Sequence, residues 1–327
     1  MADNELDLMQ WQLGTQTVFQ TAVAPTAKLM GVEDGEIQAL VGTSAVPEQR
    51  NSLAPAFNAT VDSVTGEGTL SGAANFEQIG YLLDSLLGQA TPGVGPGYTR
   101  AYTAPLGTKP SPRILTLTKG SSLDARALKG GIVNELTLTA ETNARVGYES
   151  KLIGHSVETD TLAALSDTAV NYIHSNQVAL KFDTWAGTMG GTALTPTAYK
   201  MELGLNFNKM VQMGLGSVNP LGHKHKKGEV GSNQLKLAME LDTTSAGYYN
   251  SIITATTDPF RAQIQATFTS GSLIFVVQYA GYAAEAPKYV EDTDGVATLE
   301  FVFSPLYHSV FGNWFKASLT NAVAVLP

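Results

Sequence analysis

Five histidines and 29 carboxylates are the side chains of this 327-residue sequence that could do chemistry. Cysteine is absent, which removes thiolate nucleophiles, disulfides and thiolate metal sites. His223 and His225 are close enough to share a metal ion, but standing among Lys224, Lys226 and Lys227 they read as solvated side chains. His155, His174 and His308 lie apart, and no G-x-S-x-G nucleophile motif accompanies them. Gly66-Glu67-Gly68 with Gly72 misses the dinucleotide fingerprint by one position, and no parallel βαβ pattern surrounds it. Asp292-Thr293-Asp294-Gly295 resembles part of a calcium loop. The first position of that loop would be Val290 and the twelfth Phe301, so the segment reads as a turn. The remaining Asp and Glu are scattered, which gives a glycosidase reading no particular pair. The sequence therefore assigns no catalytic, cofactor or metal site, and the expectation is that the protein is not an enzyme.

Charge narrows the partners. Twenty Lys and Arg stand against 29 Asp and Glu, a net charge of −9. Gripping nucleic acid by its phosphates requires a clustered basic surface. The sole basic cluster runs from His223 to Lys227 and reads as a loop, so sequence-specific DNA binding is not expected. The acidic start MADNELDLMQWQLG has no secretory character. The longest apolar run, Leu273–Ala284, is interrupted by Gln278 and is too short to span a bilayer. A soluble product made in the cytoplasm, without a membrane partner, is the expectation.

Strands dominate the elements that must position any functional group. Tyr199, Met201, Leu203, Leu205 and Phe207 alternate with Lys200, Glu202, Asn206 and Asn208. Leu235, Leu237, Met239 and Leu241 oppose Lys236, Glu240 and Asp242, and Ala297, Leu299, Phe301 and Phe303 oppose Thr298 and Glu300. In the first half, Leu136, Leu138 and Ala140 oppose Glu135, Thr137, Thr139 and Glu141. Period-two alternation predicts antiparallel sheets with one buried and one wet face, joined by hairpins such as Gly190-Gly191 and Asp294-Gly295. Two short helices are predicted. One runs from about Phe76 to Leu87, capped by Asn75 with Gln78 reaching back and ended by Gly88. The other runs from about Ser245 to Ile253, with Thr243 or Thr244 as cap. A third helix is placed near Leu162–His174, between the halves. The aromatic residues Trp185, Trp314, Phe301, Phe303, Phe311 and Phe315 read as core or interface anchors.

The two halves look alike. Gly80-Tyr81-Leu82-Leu83-Asp84-Ser85-Leu86 matches Gly247-Tyr248-Tyr249-Asn250-Ser251-Ile252-Ile253. Pro25-Thr26-Ala27 matches Pro196-Thr197-Ala198, and Gly42 matches Gly214. This order and spacing predict a tandem duplication, with domains at residues 1–160 and 161–327 and a boundary within 155–176.

The opening LGTQTVFQTAVAPTAKL and the strand and helix EGTLSGAANFEQIGYLLDSLLG resemble the major tail tube proteins of siphovirus-type bacteriophages. The resemblance implies two tail-tube-like β-sandwich or barrel domains, each with a flanking α-helix. It also implies self-assembly into trimeric rings of pseudo-sixfold symmetry, stacked into the tail of a virion built in the host cytoplasm. Tail tip, tape-measure and terminator proteins would be the partners, and genomic DNA would cross the lumen without specific binding. Six domains of about four strands each make a barrel of ~24 strands, and the spacing and tilt of strands give a lumen of roughly 40 Å. That admits one duplex. Glu135, Glu141, Glu202, Glu240, Asp242 and Glu300 are the candidate lumen-facing residues, whose charge would repel a duplex and keep it centred. The segment Asn219–Gln234, with His223, Lys224, His225, Lys226 and Lys227, is the candidate inter-ring loop, and Pro47–Asn58 is its first-half counterpart. The rival readings are a β-sandwich carbohydrate-binding or adhesin module and a β-rich hydrolase.

Overall fold

Strands make up nearly all the regular structure, because alternating stretches can bury their apolar sides only by stacking sheets. A computed structural model describes residues 9–46, 56, 58–94, 97–196, 198–226, 230–291 and 297–326. Strands β1 (Gln10–Gln16), β2 (Ala27–Lys28), β3 (Val32–Val46) and β4 (Asn58–Ala73) precede helix α1 (Ile79–Leu87). Then come β5 (Tyr98–Thr103), β6 (Ile114–Gly120), β7 (Ala125–Glu141), β8 (Gly147–Gly154) and β9 (Ser156–Asp160). The second half opens with β10 (Val178–Thr184), β11 (Ala193–Leu194), β12 (Tyr199–Asn206), β13 (Lys209–Met213), β14 (Pro220–His225) and β15 (Leu235–Glu240), which lead to α2 (Thr243–Ile253). It ends with β16 (Arg261–Ser270), β17 (Leu273–Ala283), β18 (Lys288–Glu291), β19 (Ala297–Pro305) and β20 (Phe315–Asn321). The chain is thus mainly β and antiparallel, with two short α-helices among the described residues.

The pairing scheme runs twice. β1 pairs with β2 and β6, β6 with the start of β7, and that start with β9. β3, β4, β8 and the end of β7 lie side by side in that order. Later in the chain β10 pairs with β11 and β16, β16 with β17, and β17 with β20. β12, β15, β19 and β18 again lie side by side. β7 passes from one sheet to the other at Gly130, whose φ is +67° and where a Cβ would come within 2.5 Å of the Phe19 carbonyl oxygen. Only glycine fits a left-handed turn in so little space. The two sets join where β7 pairs with β12, Glu141 opposite Lys200 and Glu135 opposite Asn206, and again where β5 pairs with β20.

Register makes the alternation a core. Leu136, Leu138 and Ala140 of β7, Met201, Leu203 and Leu205 of β12, and Leu235, Leu237 and Met239 of β15 are all buried on one side. Leu299, Phe301 and Phe303 of β19 continue the layer. Helix α1 is covered on every face, Asp84 included. A buried carboxylate needs partners, and Asp84 receives hydrogen bonds from Arg113 Nε at 2.9 Å, Tyr102 Oη at 3.0 Å and the Ala90 amide at 3.2 Å. Even so, burial pushes its pKa up.

The helices depart from expectation at their starts. Asn75 Oδ1 accepts from the Gln78 amide at 2.8 Å, but α-helical bonding begins at Ile79, and Gly88 closes the helix at φ +111°. In α2 the cap is Asp242, whose carboxylate accepts from the Ser245 amide at 2.7 Å, in place of Thr243 or Thr244. Residues 161–171 are not helical. They are strapped to the first half by Ala163 on Gln12, Asp167 on Lys28 and Asn171 on Glu77, bonds that an isolated helix could not make. Two of the internal matches also fall at different places in the pairing scheme. Pro25 precedes β2 whereas Pro196 follows β11, and Gly42 lies inside β3 whereas Gly214 follows β13. The helix match falls at corresponding places.

Candidate functional surface: a polar face across eight strands

Opposed residues of an antiparallel pair point to the same side, so the registers define one continuous wet face across β3, β4, β8, β7, β12, β15, β19 and β18. One row across it reads Glu141, Lys200, Ala238, Glu300 and Lys288. The next reads Thr139, Glu202, Lys236 and Val302, the last of which is buried where β19 meets its neighbours. Five of the six acidic residues singled out in the sequence lie on this face: Glu135, Glu141, Glu202, Glu240 and Glu300. Asp242 does not join them, because its carboxylate caps α2.

Four further carboxylates, Asp34, Glu36, Glu67 and Glu149, share the face through β3, β4 and β8. The sequence reading missed them because these strands carry polar or glycine residues on both sides there, which hides the period of two. An open depression of about 310 Å³ lies among Asp34, Thr69, Glu135, Glu149 and Lys151. Lysines are interleaved. Lys151 Nζ lies 2.8 Å from Glu135, Lys236 Nζ 2.7 Å from Glu202 and Lys200 Nζ 3.4 Å from Glu141. The hydrogen bonds to Glu135 and Glu202 raise the pKa of Lys151 and Lys236 respectively. With Lys288, four lysines face nine carboxylates, so the face stays net acidic while no lysine on it is far from a carboxylate.

The basic segment is not a loop over most of its length. His223, Lys224 and His225 belong to β14, which pairs with β13, and Lys226 follows directly. Lys227 lies outside the described residues, as do residues 292–296 of the calcium-like turn and most of Pro47–Asn58. Strand alternation sends Lys224 to solvent and turns both imidazoles inward, with ring centres 5.5 Å apart and Phe19 6.0 Å from His223. The Nε2 atoms of both histidines are buried without a hydrogen-bond partner. Burial first, then nearby Lys109 and Lys209, pull their pKa values down to about 4. Lys209 sits opposite His225 and sends its Nζ into the end of α1, to the carbonyls of Ser85 at 2.6 Å, Leu86 at 2.7 Å and Val133 of β7 at 2.8 Å.

The other chemistry-bearing residues are tied into structure. Gly66 and Gly154 leave the space that Leu128 fills, which is a packing role and not a phosphate turn. His308 Nε2 meets the Trp185 carbonyl at 2.8 Å, and its Nδ1 accepts from the Phe311 amide. His155 Nδ1 lies 2.9 Å from Ser156 Oγ, but Glu158 accepts from that same hydroxyl at 3.3 Å. The carboxylate thus holds the serine and not the imidazole, so the nucleophile–base–acid order of a triad is not made. Among the described residues no three His, Asp or Glu side chains converge as metal ligands, and no helix is long and apolar enough to cross a membrane.

Comparison with protein families gives a match over most of the chain. The family described as phage tail tube protein covers residues 9–304, which takes in the eight strands of the wet face except the last residue of β19. No curated protein matches it.

Proposed function

The chain belongs to the phage tail tube protein family, and from that premise we propose that three copies close into a ring whose inner wall is the eight-stranded wet face. The protein is a structural component of the phage virion tail and assembles with itself into a tube. The finer reading is a tail of the long, siphovirus type, made of stacked trimeric rings that conduct DNA, with no catalytic role. Tip, tape-measure and terminator proteins would meet the tube from within or at its ends. The repeated pairing scheme supports two tandem tube domains with the boundary in the strapped segment 155–176.

One observation carries this reading: each half contributes four side-by-side strands, and β7·β12 fuses them into eight. Three copies then supply 24 strands, which at ~4.8 Å spacing and ~40° tilt enclose a lumen of roughly 40 Å. Its net acidic wall would repel the one negative charge per ~1.7 Å of a duplex, and the interleaved lysines are already engaged by glutamates. Negative-stain microscopy of the purified full chain tests the assembly. Tubes or rings of about 40 Å bore are expected, and a discrete sugar-binding oligomer would overturn the reading. The wall is tested by Glu149→Lys, Glu240→Lys and Glu300→Lys together. Tubes of this variant should carry a short duplex down on sedimentation at low salt, while unmodified tubes leave it in solution.

The basic strand supports contact between rings. Lys224 and Lys226 are exposed beside the acidic bulk of the chain. An exposed ion pair contributes only ~0–1 kcal/mol, but several act together at each ring junction. Changing Lys224, Lys226 and Lys227 to Glu should shorten tubes without unfolding subunits, most of all at low salt where screening is weak. Tubes of normal length at low ionic strength would remove the electrostatic contact.

A further inference from the structure

The ring reading leaves open which edges meet and in what register. The chain contains its own answer at the junction of β7 with β12. Among the described residues β3 pairs with β4 alone and β18 with β19 alone, so the wet sheet ends in two edges. We propose that β18 of one copy pairs antiparallel with β3 of the next, Lys288 opposite Gln38 and Tyr289 opposite Ile37. This rests on the ring reading and deepens it.

The register follows from the two rows that cross each half. Gly80 and Gly247 of the matching helices differ by 167, and the same difference relates Ser71 of β4 to Ala238 of β15. The row through Ser71 reads Asp34, Ser71, Glu149, Thr137. The row through Ala238 reads Lys200, Ala238, Glu300, Lys288. Lys288 therefore occupies the place of Thr137, and Lys200 that of Asp34. Thr137 is opposite Gly204, four residues beyond Lys200. Four residues beyond Asp34 is Gln38.

Burial on the other face points the same way. In the internal junction Leu138 pairs with Leu203, and both are sealed, 2% and 0% exposed. Their equivalents are Tyr289 and Ile37. Tyr289 is 66% exposed, with the ring of Tyr249 6.0 Å away, and Ile37 is only half-buried. Each end of the sheet thus presents an apolar residue where the internal junction has a covered one. A large exposed aromatic at a sheet edge is an aggregation liability unless a strand covers it. A second copy supplies that strand, and because the two edges differ, the contact is head-to-tail and can close a ring.

A disulfide ruler tests the register, and the cysteine-free chain makes it clean. Hydrogen bonds from the Thr142 amide to the Tyr199 carbonyl and from the Phe207 amide to the Asn134 carbonyl make Thr137·Gly204 a non-hydrogen-bonded pair. Such pairs have Cα atoms ~4.5 Å apart, within disulfide reach. The Gln38→Cys/Lys288→Cys variant, assembled and then oxidised, should lose its monomer band to covalent dimers and trimers on a non-reducing gel. Leu40→Cys/Lys288→Cys, a diagonal pair two residues out of register and ~7–8 Å apart, should remain monomeric. In parallel, Tyr289→Asp should abolish rings while leaving the circular dichroism of the chain unchanged. Rings that cross-link only in the shifted variant, or in neither, would overturn this register and leave the ring reading intact. A parent chain that forms no rings would remove both.

Discussion

Lys209→Ala is expected to lower the unfolding free energy by about 3–5 kcal/mol, because three buried carbonyls lose their donor at roughly 1–3 kcal/mol each, partly offset by relief of the buried ammonium. Lys209 is 4% exposed. Its three acceptors include two carbonyls at the end of α1, where the helix leaves C=O groups without partners of its own. Burial pushes its pKa well below the ordinary lysine value, and the carbonyls and helix dipole supply what compensation an ammonium finds there. The backbone beside it is also fixed, since the Lys209 amide donates to Asn134 Oδ1 at 2.6 Å. One side chain thus ties the foot of the β13–β14 hairpin to the helix and strand of the first half. At about 2–4 °C per kcal/mol, the alanine variant should melt roughly 6–20 °C lower. Lys209→Met keeps the aliphatic stem and should recover part of that loss. A thermal or urea unfolding curve shifted by less than about 1 kcal/mol would mean that water satisfies the carbonyls equally well.

How much of this was legible in the sequence depends on contrast between neighbouring residues. Where apolar and polar residues alternate, as in β7, β12, β15 and β19, both the strand and its wet face could be read, and five of the six acidic residues taken from these strands share that face. His223-Lys224-His225-Lys226 alternates just as strictly, but every member is polar, so the period carried no visible hydrophobic signal and the strand read as a loop. Asp242 continued the alternation of β15 on paper. A helix begins there, however, and an aspartate before a helix is more effective as a cap than as one more surface charge. The burial of Asp84 was not legible, because its partners Arg113 and Tyr102 lie in other elements. Register was least legible of all. The helix match fixed an offset of 167, yet the rows on which the edge pairing depends required the strand partners themselves.

Acid should loosen the hairpin before it unfolds the chain. The imidazoles of His223 and His225 titrate near 4 in the folded state against an ordinary 6.5, so the folded protein holds them neutral. For a base with a depressed folded pKa, stability is intact above the ordinary value and is lost as pH falls from about 6.5 towards 4. Each tenfold difference in proton affinity between the folded and unfolded states is worth about 1.4 kcal/mol. Both rings are partly open to solvent, which reduces the cost to about 1–2 kcal/mol each. Lys209 and Lys109 face the same pair and oppose any added positive charge, while the nearby His155 is itself held below its ordinary value by burial and Lys129. Between pH 7 and pH 4 the pair should therefore remove about 2–4 kcal/mol, from the part of the chain proposed to meet the next ring. The measurement is urea unfolding across that range for the parent and for His223→Gln/His225→Gln. The double variant should show a flatter pH profile, and the difference between the two curves cancels the carboxylates common to both. Tubes of the parent chain should correspondingly shorten at pH 4–5 while those of the variant persist. Parallel stability profiles for the two proteins would mean that the histidines are solvated in both states and that the depressed pKa is not expressed.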